Sequence, residues 1–112
     1  MEDDVALRDL VSKIVARADP VAVYLFGSRA RGDHDEDSDY DLMIVVDDSW
    51  PADKTTVDEA FRLIPARTIP VDAFLLRRRV FEAERGRVNT MSNEVAQEGC
   101  SLYERGRSKA VA

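Results

Sequence analysis

The sequence predicts a small α/β or α+β domain, a sheet covered by helices, and three observations predict it. Short apolar runs rich in β-branched and aromatic residues alternate with stretches of helical period. Prolines and glycines punctuate the joins between them. At 112 residues the chain can bury one core but not two. A single domain over 1–112 is expected, with its core at about 5–104 and a polar tail at 105–112.

Taken in order, Val5, Leu7, Leu10, Val11, Ile14 and Val15 form the stripe of an amphipathic helix from Val5 to Ala18, stopped at Asp19-Pro20. Val21 to Phe26 (VAVYLF) is too short for a helix and apolar throughout, so it reads as a buried strand. Gly27-Ser28 breaks the run, and Ser28 is the expected N-cap of a short helix through Arg31. Gly32 to Ser38 is a polar, acidic loop whose carboxylates and His34 read as solvated. Asp39 to Val46 (DYDLMIVV) is a second strand with an apolar tail.

A loop over Asp47 to Asp53 contains Pro51 and Trp50, the latter a loop anchor or an interface residue. Helical spacing at Val57, Ala60, Phe61 and Ile64 predicts a helix over Lys54 to Ile64, ended by Pro65. Ile69 to Leu76 (IPVDAFLL) is a third strand, with Pro70 near its start, where a missing donor is tolerated. Arg77 to Arg85 reads as a charged, solvated helix start, and Asn89 to Glu98 as a closing helix capped by Gly99. Ser101-Leu102-Tyr103 is a short segment in which Tyr103 packs on the core. Cys100 reads as a small packing residue.

Composition excludes several classes. Sixteen Lys and Arg against 22 Asp and Glu give a net charge of −6, the wrong sign for a broad nucleic-acid surface, so no direct nucleic-acid binding is expected. No apolar run approaches the ~18 residues of a membrane span, so no membrane association is expected. The opening Met-Glu-Asp-Asp lacks the basic start of a secretory signal, and one cysteine cannot form an internal disulfide. A cytoplasmic location is the expectation. Phosphate chemistry in such a chain would need a local site and a cation.

That site is legible in three places. Asp39 and Asp41 lie two apart on a strand, so both carboxylates leave the same face, roughly 6.5–7 Å apart at the backbone. Carboxylates so spaced can converge on one divalent ion, or on two held about 4 Å apart. Tyr40 and Leu42 then point the other way, into the core. Asp72 interrupts the apolar Val71-Asp72-Ala73-Phe74, where a lone carboxylate is expensive unless paired or metal-bound. If the third strand neighbours the second, Asp72 completes a cluster whose mutual repulsion calls for Mg²⁺. Gly27 permits close backbone approach, Ser28 offers a hydroxyl, and Arg29 and Arg31 supply nearby positive charge for a polyphosphate. The plain alternatives are a structural turn at Gly27-Ser28, a turn or capping acid at Asp39, and solvated strand acids at Asp41 and Asp72.

Gly27-Ser28-Arg29-Ala30-Arg31-Gly32 followed by Ser38-Asp39-Tyr40-Asp41-Leu42 resembles the signature of the polymerase-beta-like nucleotidyltransferase superfamily. The ending Glu94-Val95-Ala96-Gln97-Glu98-Gly99, with Leu102-Tyr103-Glu104, is similar to that of its minimal members, the antitoxins of HEPN–MNT pairs. The resemblance covers Val5 to Glu104. It implies a small mixed sheet flanked by helices, in which Gly27 and Ser28 bind the nucleotide triphosphate and Arg31 offers charge or braces the turn. It also implies that Asp39, Asp41 and Asp72 hold Mg²⁺, with Asp72 helping to deprotonate the acceptor. The implied activity is transfer of AMP from ATP to a tyrosine of a partner HEPN ribonuclease toxin, the acceptor pocket completed by that partner or by a second subunit. Two other outcomes remain open: an antitoxin that binds and occludes its partner, and transfer to a small molecule such as an aminoglycoside.

Overall fold

The computed structural model describes residues 2–65 and 69–106. Helix α1 (Glu2–Ala18) precedes strand β1 (Ala22–Phe26), the single-turn helix α2 (Ser28–Arg31) and strand β2 (Tyr40–Val46). A 3₁₀ turn at Ala52–Lys54 leads into helix α3 (Val57–Arg62) and strand β3 (Val71–Arg77). Helices α4 (Arg78–Glu84) and α5 (Met91–Glu98) and strand β4 (Cys100–Glu104) complete the chain. The sheet runs β3-β2-β1-β4, with β1 antiparallel to both neighbours and β2 parallel to β3, so it is mixed. No helix among the described residues is long and apolar enough to cross a membrane.

The near-continuous apolar run of β2 is explained by its place. It is an inner strand covered on both faces, which removes the polar alternation of a half-exposed strand. Tyr40, Leu42, Ile44 and Val46 pack beneath α1 and α3, with Ile14 and Ala60 among the residues that meet them. Met43 and Val45 face the other way, toward Phe81 of α4 and Val95 of α5. Tyr24 stacks on Phe81 with ring centroids 5.5 Å apart, and Phe26 meets Phe74 at 5.8 Å. The apolar core is thus two thin layers split by the sheet.

Several boundaries differ from the sequence expectation, for local reasons. Helix α3 starts at Val57 and not at Lys54, because the Thr56 hydroxyl accepts from the Glu59 backbone N–H and fixes the entry there. Thr90 does the same for α5, accepting from the Asn93 N–H at 3.0 Å, so Asn89 stays outside in a left-handed turn (φ 72°). Arg77, expected in a helix, ends β3 opposite Val46. Asp39 precedes the paired part of β2, which begins where the Tyr40 N–H donates to the Pro70 carbonyl. The segment around Ser101-Leu102-Tyr103 is a full edge strand whose pairing with β1 slips once, between Val23 and Tyr24.

Cys100 is exposed, not packed, because it lies on that edge. Trp50 proves an anchor: it packs against the core and donates its indole N–H to the Lys54 carbonyl across the 3₁₀ turn. Arg105, assigned by sequence to the polar tail, clasps two corners of the sheet. It donates to Asp47 at 2.9 Å and to the Asp19 carbonyl, while its own backbone N–H bonds the Val21 carbonyl. Of the expected tail, 107–112 lies outside the described residues.

One buried polar atom is unsatisfied among the described residues, the Ser92 hydroxyl, on a fully buried side chain of α5. A buried hydroxyl without a partner loses its water bonds for nothing. Ser92→Ala should therefore stabilise the fold by about 1 kcal/mol, a rise of roughly 4 °C in melting temperature by calorimetry. A fall would show that the hydroxyl is bonded.

Candidate active site

The turn after β1 is built by two glycines in conformations that L side chains avoid. Gly27 sits at φ 78°, ψ −158° and Gly32 at φ 88°, ψ 4°, and between them Ser28–Arg31 makes one helical turn. The N–H groups of Ala30 and Arg31 donate to the Gly27 carbonyl, and the Gly32 N–H donates to that of Ser28. Ser28 does not take the capping role its residue type predicts. Gly27 is the cap residue, Ser28 is the first helical residue, and no side chain caps the turn. The Ser28 hydroxyl is thus not engaged in capping.

Strand pairing then delivers the acids. Antiparallel β1–β2 register places Asp41 opposite Phe26, next to the turn, and parallel β2–β3 register places Asp72 opposite Asp41. Asp41 approaches Gly27 so closely that a Cβ on Gly27 would overlap Asp41 Oδ2. The glycine is needed twice, for its backbone angle and for the space. Tyr40 and Leu42 are buried in the opposite layer, as the strand period requires.

The carboxyl of Asp41 is held above its ordinary range. Partial burial is the largest cause, followed by the negative fields of Asp72, Asp39 and Glu94, with Arg31 opposing them. Asp39, Asp41 and Asp72 are therefore neighbours within electrostatic reach. Among the described residues no three His, Cys, Asp or Glu side chains close into a ready-made ion cage, so the acids form an open group. Hard carboxylate oxygens that repel one another suit a divalent cation such as Mg²⁺, which relieves the repulsion.

The two arginines divide their duties. Arg29, expected beside a polyphosphate, instead holds the acidic loop: its guanidinium lies 4.1 Å from the Tyr40 ring centre. Nε donates to the Ser38 carbonyl at 3.0 Å. The loop is also tied internally, since Asp35 Oδ1 accepts from the Asp37 N–H and the Ser38 hydroxyl accepts from that of Asp35. Its carboxylates and His34 are exposed, as expected. Arg31 pairs with Asp33 at 3.2 Å, Glu94 at 3.4 Å and Glu98 at 3.5 Å.

Glu94 and Glu98 were not expected at the site. Their i, i+4 spacing marks a shared helix face, but only the fold brings that face to Arg31. The Arg77–Arg79 run lies at the far end of β3 from Asp72; Arg78 and Arg79 are exposed, and the Arg79 backbone N–H is held by Asp48.

Gly27→Ala should cost about 1–3 kcal/mol of stability by denaturant titration, through backbone strain and the clash with Asp41. Adding Asp41→Ala should return only the clash part; full recovery would mean that the backbone angle is unimportant. The second expectation concerns pH. A carboxyl whose folded pKa is raised destabilises the fold once ionised, progressively as pH climbs from the ordinary value of 3.8 through the raised one. Asp41→Asn should therefore melt above the parent at pH 7, and the advantage should vanish below about pH 4. An advantage that persists at pH 3 would assign the gain to something other than charge.

Comparison with known proteins gives the family and the fold. No curated protein sequence matches the chain. A solved structure from Sulfolobus solfataricus, described as a candidate nucleotidyltransferase, superposes with a TM-score of 0.59 at 23% identity, covering 91% of this chain and 80% of its own. A toxin–antitoxin structure solved with AMP-PNP superposes at 0.54 and 18% identity, covering 93% and 78%. At those identities the likeness is one of fold. The model of the family "Polymerase beta, Nucleotidyltransferase" matches residues 9–108, nearly the whole sequence, and the chain belongs to that family.

Proposed function

We propose that this domain transfers AMP from ATP to a hydroxyl acceptor, with Mg²⁺, and that the acceptor is a tyrosine of a partner HEPN ribonuclease toxin. The observation that carries the chemistry is the contact of Asp41 with Gly27, with Asp72 in register beside it. A triphosphate seated on the Gly27-Ser28 turn brings its α-phosphorus next to these acids. Family membership supports nucleotidyl transfer in general. The fold-level neighbour solved as a toxin–antitoxin with AMP-PNP supports the adenine nucleotide and the kind of partner.

Each residue has a part. Gly27 leaves room for the nucleotide and Asp41 to approach one another, and the Ser28 hydroxyl donates to a phosphate oxygen. Arg31 offsets charge on the leaving side. Asp39, Asp41 and Asp72 are the residues that would hold Mg²⁺, which when bound supplies neutralisation of the phosphates and eases ionisation of the acceptor hydroxyl. Asp72 takes the hydroxyl proton as the acceptor oxygen bonds to the α-phosphorus; the α–β phosphoanhydride bond breaks and pyrophosphate leaves. The same residues act from the cytoplasm in this reading, with the partner or a second subunit walling the acceptor side.

The test is an intact-mass measurement of a cognate HEPN toxin incubated with the purified protein, ATP and Mg²⁺. A gain of one adenylyl group on a tyrosine is expected, and Asp41→Asn should lower its rate by orders of magnitude. A toxin inhibited without any mass gain would replace transfer by occlusion. Full activity in Asp41→Asn would remove that acid from the mechanism.

A further inference from the structure

Arg31 is held from three sides. Its Nε pairs with Asp33, and one terminal nitrogen lies 3.4 Å from Glu94 and 3.5 Å from Glu98, both on α5. A guanidinium carries five N–H donors, and these three pairs use none on the other terminal nitrogen. Asp33 is local, but Glu94 lies 63 residues away in sequence and Glu98 is on the same helix, so their part of the arrangement is a product of the tertiary fold and not of the turn itself.

Placing Glu94 and Glu98 there has an electrostatic penalty. They add negative charge to a corner that already holds Asp39, Asp41 and Asp72, and Glu94 is close enough for its field to act on Asp41. Near an incoming polyphosphate their bare fields are repulsive. What offsets this is order: an arginine side chain has rotamer freedom to lose, and one already fixed by its partners loses less on binding.

We propose that Glu94 and Glu98 are positioning residues for nucleotide binding, holding the Arg31 guanidinium where a polyphosphate on the Gly27-Ser28 turn meets it. The inference rests on the reading that this turn seats a nucleoside triphosphate. It differs from a purely structural link between α5 and α2, which would leave affinity alone. It also differs from a bare field effect, which has the opposite sign.

The experiment measures binding of α,β-methylene-ATP with Mg²⁺ by calorimetric titration, since that analogue cannot be cleaved at the reacting bond. Glu94→Gln combined with Glu98→Gln should weaken binding about fivefold, and Arg31→Ala at least as much. Adding the two glutamine changes to Arg31→Ala should then weaken it no further. Melting temperatures should stay close to the parent, the pairs being exposed; if the double variant unfolds, the single ones carry the comparison. Unchanged or tighter binding in the glutamine variants, with Arg31→Ala still weak, overturns the positioning role and leaves the transfer reading standing. Normal affinity in Arg31→Ala overturns it as well. A parent protein that binds no nucleotide overturns the functional reading and this inference together.

Discussion

The structure turns on one close approach, the Asp41 carboxylate against the bare Cα of Gly27. Two kinds of strand pairing must agree for it to exist. An antiparallel β1–β2 pair brings the turn after β1 beside the start of β2, and a parallel β2–β3 pair brings Asp72 level with Asp41. Parallel neighbours need a crossover, which α3 supplies on the face covered by α1. The acids leave from the other face, beyond the end of the Phe81 and Val95 layer. Connection types thus decide that one corner of the sheet collects the carboxylates while its middle stays apolar.

That corner is unfavourable for the fold taken alone. Asp41 is partly desolvated and surrounded by like charge, and Gly27 and Gly32 hold angles that other residues resist. The surroundings contain the difficulty. Arg29 pins the acidic loop by its backbone carbonyls and rests on Tyr40, which is itself buried in the main core. Arg31 draws Asp33, Glu94 and Glu98 around one cation. The loop is exposed yet ordered, so its negative charge stays near the site without entering the core.

Legibility in the sequence followed locality. The α1 stripe and the β2 run announce themselves because burial on one face, or on both, writes directly into residue order. Helix starts were displaced where a threonine hydroxyl outweighed the apolar period, at Thr56 and Thr90. Ser28 reads as a cap in sequence because its residue type favours that role, whereas the close approach of Asp41 demands glycine at the cap itself. Strand β4 is only partly legible in sequence, since an edge strand with exposed Cys100 and Ser101 shows no clean alternation. Gly27, Asp39 and Asp41 were legible as a local motif. Asp72 was legible only on the condition that β3 lies beside β2, and Glu94 and Glu98 not at all, their relation to Arg31 being made by tertiary contact.

Charge accounts for why nucleotide and cation belong together at such a site. Asp33, Asp39, Asp41, Asp72, Glu94 and Glu98 surround the Gly27 corner, with Arg31 opposing them. A free polyphosphate entering this field is repelled, and a divalent ion alone meets an open carboxylate group with room for further oxygens. Under the proposed function each would improve the site for the other: a bound ion would offset the repulsion, and phosphates would offer it further oxygens. Such coupling is reciprocal by linkage. Under the proposed function it would let an acidic domain bind a strongly acidic ligand without a basic surface, the positive charge coming from Arg31 and from a divalent cation.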